Sequence, residues 1–283
     1  MEKYLGENLY EFYNQFDTDL ACKKYLSDIK WEKGYVCKKC KHDKSQLRKD
    51  FSRTCNICSY TETATANTMF HKVKFGLRKA FLICFKMTIT NHSISASEIS
   101  MRYDIQIRTA RMFMNKIRVA MKNTTECEIS KEITTKIVKT KKTKNLETKD
   151  IILCTLVEDK QTSQSKLITI KTENNNKRAI KKIINEDESL NEKISEIYNI
   201  ENFNKKKYTI SPIRDKTTKK NLLINSKVDE AKHWIKNTYK GVKEKNTTKY
   251  LDEYIYLNNR TKNRDNLFHE IVYEMVVGKK DEN

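Results

Sequence analysis

Proline and glycine are nearly missing from this sequence: its 283 residues include 1 Pro and 5 Gly. That scarcity excludes collagen-like and linker-rich classes. Long apolar runs are missing as well. No stretch approaches the roughly 18–20 consecutive apolar residues of a spanning helix, so no membrane partner is expected. The opening Met1-Glu2-Lys3-Tyr4 has no basic stretch leading into an apolar run, and no secretory signal is read there. Acid is scarce relative to base: 37 Asp and Glu against 57 Lys and Arg leave a net charge of +20. With a pI near 9.4, that imbalance points to a polyanionic partner, most simply nucleic acid. Base-composition bias in a genome also enriches Lys and Asn, so charge alone is a hint and not a function. The 14 Tyr, 10 Phe and many Ile and Leu are enough to build a core, which excludes a wholly disordered chain. The 8 Cys, without a signal, suggest a reducing compartment, where clustered cysteines bind metal more often than they pair. The expected location is intracellular: the nucleus in a eukaryote, the cytoplasm and nucleoid in a bacterium.

Residues 1–30 read as helices, with Leu9, Phe12, Phe16 and Leu20 near a 3.6-residue spacing and Asp17 capping a second helix from Thr18. Trp31 to Val36 reads as a short strand-like approach to the first cysteines. The stretch 31–74 is the cysteine-bearing segment, and 75–122 holds an apolar helix followed by a helix pair. At 123–149 the composition shifts to Thr and Lys, giving a basic linker and a first strand. Residues 150–283 form the last domain. There Asp150–Val157 and Lys166–Lys171 read as strands. Asn175–Asn185 reads as a helix, and three helices close the chain near 227–236, 246–258 and 265–277. Trp31, Phe81, Phe85, Trp234, Tyr254 and Phe268 are read as packing residues.

Cys37-Lys38-Lys39-Cys40 and Cys55-Asn56-Ile57-Cys58 are two CxxC pairs fourteen residues apart. Each pair can sit on a tight knuckle that aims two sulfurs at one ion, and four thiolates close a tetrahedral zinc site. A closed site is structural, because it leaves no position for a reactive water. Metal binding then supplies folding energy to a segment with little apolar content. Cys22, Cys84, Cys127 and Cys154 stand alone among apolar neighbours and read as small buried hydrophobes. His42 and His71 read as surface residues.

Ser95 precedes a short helix with Glu98 three residues on, a capping box. A turn at 103–107 leads into a longer helix through Arg118. Ile99, Ile105, Ala110, Phe113 and Ile117 would pack the two helices together. Gln106, Arg108, Thr109 and Arg111 would then face outward at the N-terminal end of the second helix, the end that enters the major groove in helix-turn-helix proteins. Arg reads guanine and Gln reads adenine there, while Lys116 and Arg118 would hold phosphates. Lys141 and Lys142, in a run of lysines, add sequence-independent attraction to double-stranded DNA.

The order of these features resembles the Merlin-type and ISXO-like zinc-ribbon DDE transposases. The likeness rests on Trp31…Gly34-Tyr35-Val36-Cys37, on Cys55…Cys58, and on Thr65-Ala66-Asn67-Thr68-Met69-Phe70-His71. It continues through Ala110-Arg111 to Arg118 and Met121, Thr238-Tyr239-Lys240-Gly241-Val242, and Tyr250-Leu251-Asp252-Glu253-Tyr254. It implies an α+β chain: N-terminal helices, zinc ribbon and helix-turn-helix, then an RNase H-like α/β domain. In that family three acidic or amide residues hold two divalent ions for strand transfer. The first position falls on Thr134, or Ile133 one residue away. The second falls on Ile200, with Glu201 adjacent. The third falls on Glu230, or Asp229. Thr and Ile cannot serve Mg²⁺ as anionic oxygen ligands. The expectation is a transposase-derived DNA-binding protein that has lost catalysis, with Glu230 as a remnant. Two alternatives stand beside it. One is an active transposase using Mg²⁺ or Mn²⁺ on Glu132, Glu201 and Glu230. The other is a zinc-ribbon adaptor for protein or RNA. Related transposases act as multimers, so a homo-oligomer is a possible partner state.

Overall fold

The computed structural model describes residues 3–6, 8–89, 94–124, 129–139, 151–159, 165–172, 209–212, 219–239, 247–259 and 266–278. Its helices are α1 (Leu9–Gln15), α2 (Asp19–Lys30), α3 (Leu77–Ile89), α4 (Ala96–Tyr103), α5 (Ile107–Asn123), α6 (Lys219–Thr238), α7 (Thr247–Asn259) and α8 (Leu267–Val277). Its strands are β1 (Ser45–Leu47), β2 (Arg53–Cys55), β3 (Thr61–Glu62), β4 (Ile129–Lys139), β5 (Ile151–Asp159), β6 (Ser165–Thr172) and β7 (Thr209–Pro212). The chain divides into two compact units. One joins Met1–Thr124 to Arg260–Asn283; the other is Thr125–Asn259. Among the described residues no helix is long and apolar enough to cross a membrane.

The first unit mixes helices with a small antiparallel sheet in the order β1-β2-β3. α1 starts at Asn8, whose side chain accepts the Tyr10 amide at 2.9 Å. The cap of α2 is Thr18, not Asp17: the Thr18 hydroxyl accepts the Ala21 amide at 3.2 Å and itself donates to Asp17 at 3.1 Å. A side-chain oxygen at that position satisfies one of the otherwise unpaired first-turn amides. Phe12 and Phe16 are buried, but Leu20 is 48% exposed, so the apolar stripe ends before it. Residues 31–33 form a turn and 34–37 have no regular structure, in place of the strand-like approach read from sequence.

The core of this unit is aromatic. Phe12 stacks on Phe85 with centroids 4.2 Å apart. Phe268 of α8 meets Phe12 edge-on at 5.0 Å, Tyr4 at 5.6 Å and Phe81 at 5.6 Å. Each such pair contributes about 0.5–1.5 kcal/mol beyond area burial. Backbone and side-chain bonds add to the attachment of α8. The Met69 amide donates to the Met275 carbonyl at 2.8 Å, and Asn123 Nδ2 donates to Glu274 at 2.9 Å. By sequence the helix near 265–277 falls in the C-terminal domain. It belongs instead with the N-terminal elements, because its apolar face (Leu267, Phe268, Ile271, Val272, Met275) completes their core.

The second unit holds a four-stranded sheet in the order β6-β5-β4-β7. β4, β5 and β6 are antiparallel neighbours, and β7 runs parallel to β4 with Thr134 opposite Ser211. β5 and β6 fall where the β-branched runs predict strands. α6 and α7 meet through aromatic side chains: Trp234 lies 5.7 Å from Tyr254, and Tyr239 lies 4.1 Å from Tyr250. The Tyr239 hydroxyl also bonds both oxygens of the buried Glu253 carboxylate at 3.1 Å. The helix expected at Asn175–Asn185 lies outside the described residues.

Candidate metal centre and basic helix face

The two CxxC pairs fold into the same local structure. Cys37 accepts from the Lys41 amide at 2.9 Å, and its own amide donates to the His42 carbonyl at 2.8 Å. Cys55 repeats this with the Ser59 amide at 3.1 Å and the Tyr60 carbonyl at 2.9 Å. Lys41 and Ser59, four residues after each leading cysteine, both take a left-handed backbone, at φ 63° and 57°. The reversal turns each loop back on itself and leaves both sulfurs on its inner side. The Asn56 amide donates to the Lys44 carbonyl at 3.2 Å, and Ser45 pairs with Cys55, which fixes one knuckle against the other.

The consequence is a four-sulfur cluster. Cys37 and Cys58 sulfurs are 3.6 Å apart, Cys40 and Cys55 sulfurs 3.4 Å, and all four lie within 4.8 Å of one another. These separations are far longer than a disulfide of about 2.05 Å. They suit a tetrahedron around one ion with zinc–sulfur bonds of about 2.3 Å. Burial would raise the Cys37 thiol, but amide bonds from Cys40 and Lys39 outweigh it and lower the group to about 6. At Cys55 the Cys58 amide is the leading cause, and it lowers the thiol there too. At Cys40 the His42 amide lowers the group, but burial and the three neighbouring sulfurs push it up to about 12. Cys37 and Cys55 are thus eased towards the thiolate, while the crowding of sulfurs opposes a further negative charge on Cys40. Cys37, Cys40, Cys55 and Cys58 can hold a metal ion, and the geometry is compatible with structural zinc.

A buried ion pair ties this segment to α2. Lys30 meets the Glu62 carboxylate at 2.8 Å, with Glu62 1% exposed. The same ammonium donates to the Thr63 and Ala66 carbonyls at 2.8 and 2.6 Å. Cys22 and Cys84 are fully buried, as their apolar neighbours predict, and Cys154 lies on β5 opposite Lys136 and Thr169. Cys127 lies outside the described residues. His42 is half-buried and His71 exposed.

α4 and α5 are joined by the three residues Asp104–Gln106. Ser95 caps α4 by accepting the Glu98 amide at 3.1 Å. The Glu98 side chain pairs with Arg102 at 3.2 Å, rather than reaching back to Ser95. Asp104 takes φ 48°, a left-handed residue that stops α4, and Ser100 Oγ then donates to the Ile105 carbonyl at 2.7 Å. Ile99, Ala110, Phe113 and Ile117 are buried between the elements, and Ile105 is half-buried. Gln106, Arg108 and Arg111 are exposed at the start of α5, and Thr109 is half-buried. Lys116 and Arg118 do not share that face. Lys116 donates to the Met69 carbonyl at 2.7 Å, while Arg118 is 2% exposed and donates to Asn115 at 3.1 Å. They lie on the side of α5 that the rest of the unit covers. Sequence reading passed over Met112, which is 61% exposed one turn after Arg108; the i, i+4 spacing is the signal that places it there.

In the second unit Glu230 lies on α6. Its carboxylate accepts from Ser226 Oγ at 2.7 Å and from the Tyr254 hydroxyl at 3.3 Å. Burial first, and the Glu230 charge second, push the Tyr254 phenol well above its ordinary range. Asp229 pairs with Lys232 at 3.0 Å. Thr134 sits in β4 beside β7. Ile200, Glu201, Lys141 and Lys142 lie outside the described residues. No family model, curated protein or solved structure matches the chain.

Proposed function

We propose that this chain is a DNA-binding protein of transposase descent that no longer performs strand transfer. The observation that carries the reading is the start of α5, where Gln106, Arg108 and Arg111 stand exposed on a chain of net charge +20. The N-terminal residues of a second helix after a short turn are those that meet base edges in the major groove. Arg offers a bidentate fork to guanine and Gln one to adenine. Zinc on Cys37, Cys40, Cys55 and Cys58 supplies folding energy to a ribbon in the same unit, with no reactive position left open.

The sheet of the second unit supports an RNase H-like domain, in which three antiparallel strands are followed by a fourth lying parallel beside the first. The order β6-β5-β4-β7 has that arrangement. On it, Thr134 of β4 stands where the resemblance puts the first carboxylate. A hydroxyl carries no charge to neutralise Mg²⁺. Glu230 is already engaged by Ser226 and Tyr254.

A gel assay on labelled duplex DNA, with Mg²⁺ or Mn²⁺ and with EDTA, tests the reading. The expected result is shifted, intact DNA in every lane. Metal-dependent nicking that disappears in Glu230→Ala would establish an active enzyme instead. Preference for RNA over duplex DNA would favour an adaptor.

A further inference from the structure

We infer that Met112 reads a thymine methyl group within the DNA site, an assignment that rests on α5 being the DNA-reading helix. The face that carries Arg108 and Arg111 is not purely basic. Met112 is 61% exposed and Ile107 42%. A single exposed apolar side chain is ordinary on a protein surface, but one that stands one turn from Arg108 at the start of α5 gains by removing its area from water against an apolar group of whatever the arginines bind. Met112 follows Arg108 by four residues and Arg111 by one, in the second turn of α5. The four-residue spacing puts it beside Arg108 on the outward side of the helix, and both Arg108 and Arg111 are exposed there. Its acidic neighbours do not oppose a polyanion strongly. Glu98 is paired with Arg102 at 3.2 Å, and Asp104 is the one acidic residue of the turn.

A surface of this make-up suits the major groove. Phosphates and guanine edges take the arginines, and the one apolar group the groove displays is the thymine 5-methyl. The unbranched thioether of Met112, with three rotatable bonds, can follow that methyl closely. A second copy of the chain fits the same face poorly. Isologous pairing brings the same patch together from both copies, so two sets of Arg108 and Arg111 would share one interface. Met101 lies on α4, the helix that crosses the backbone in such docking, and it serves as the internal control.

The test uses the full chain and a preferred duplex selected from a random-sequence pool. Each thymine in that duplex is replaced in turn by deoxyuridine, which removes only the 5-methyl. Affinity is measured for the wild type, Met112→Ala and Met101→Ala. At one thymine, wild-type affinity is expected to fall about fourfold on replacement, the loss for one buried methyl-sized group. Met112→Ala should bind the parent duplex about fourfold more weakly and be indifferent to the replacement. Met101→Ala should keep the wild-type response. A methyl response that survives in Met112→Ala, or that also disappears in Met101→Ala, overturns the assignment. So does a selected site with no methyl-sensitive thymine. If no duplex is preferred over another, the DNA-reading role of α5 falls first and this assignment with it. A dimer in sedimentation that Met112→Ala dissociates would give the face to a second copy instead.

Discussion

Replacing Cys37 by Ser is expected to release the metal ion and unfold residues 36–60 while the helical core persists. The geometry sets the size of the effect. Zinc–sulfur bonds of about 2.3 Å in a tetrahedron demand sulfur separations of about 3.8 Å; the cluster shows 3.4 Å for Cys40 and Cys55, 3.6 Å for Cys37 and Cys58, and none of its separations exceeds 4.8 Å. Between Val36 and Tyr60 only Cys37, Ser52 and Cys55 are buried, so the segment has no apolar core of its own. Structural zinc contributes about 10–16 kcal/mol in small peptides at pH 7, as much as the whole stability of an ordinary domain, about 5–15 kcal/mol. The loss should stay local. The Phe12, Phe81, Phe85 and Phe268 cluster is built from α1, α3 and α8 and includes none of these cysteines. The assay has two parts: zinc per chain by elemental mass spectrometry, and native hydrogen exchange. Wild type should carry one zinc and protect the Arg48 and Cys55 amides, which bond Ser52 and Tyr60. The variant should lose both the ion and that protection, while α3 and α8 amides stay slow. Equal protection of β1–β3 in wild type, in zinc-stripped protein and in Cys37→Ser would refute the reasoning.

Phe268→Ala should destabilise the N-terminal unit by about 3–5 kcal/mol, the usual cost of emptying a buried aromatic site; slowed exchange in α3 that is unchanged by the substitution would show that α8 is not part of that core. His269, 5% exposed and bonded to the Tyr25 hydroxyl at 2.6 Å, is held below its ordinary value by burial first and the Lys3 charge second. The unfolded chain therefore takes up this proton more readily, so the contribution is complete above about pH 6.5 and is lost as pH falls towards the folded value. Thermal melts should drop more steeply on acidification in wild type than in His269→Gln, and parallel slopes would remove His269 as the cause. Arg111→Ala should cost about 1–3 kcal/mol on a preferred duplex and relax its specificity, whereas changing Lys141 and Lys142 should weaken all duplexes alike and flatten the salt dependence. Equal losses from Arg111→Ala on every sequence would sink the base-reading role of α5.

What depends on near neighbours along the chain was legible before any fold was known. The knuckles were legible because CxxC spacing and the turn after it are local, and fourteen intervening residues are enough to return one pair to the other. Ser95 was legible as a cap because the bond it accepts reaches three residues. β5 and β6 were legible from β-branched runs, and α3 from dense apolar spacing. Faces without partners were not legible. Periodicity marks Phe268, Ile271 and Met275 as buried, but it cannot say that the covering surface lies at Phe12 and Phe85. The hydrogen bond from Tyr25 to His269 spans 244 positions. The same reason explains α5. A helix with basic residues on two sides has two faces that could stand in solvent, and its sequence does not choose between them. Only the packing of the rest of the unit decided between them: it covers Arg118 and draws Lys116 to the Met69 carbonyl, and it leaves Arg108, Arg111 and Met112 in solvent. Local chemistry is written in adjacent residues, whereas the choice of which face is buried is made by whichever distant surface removes the most apolar area from water.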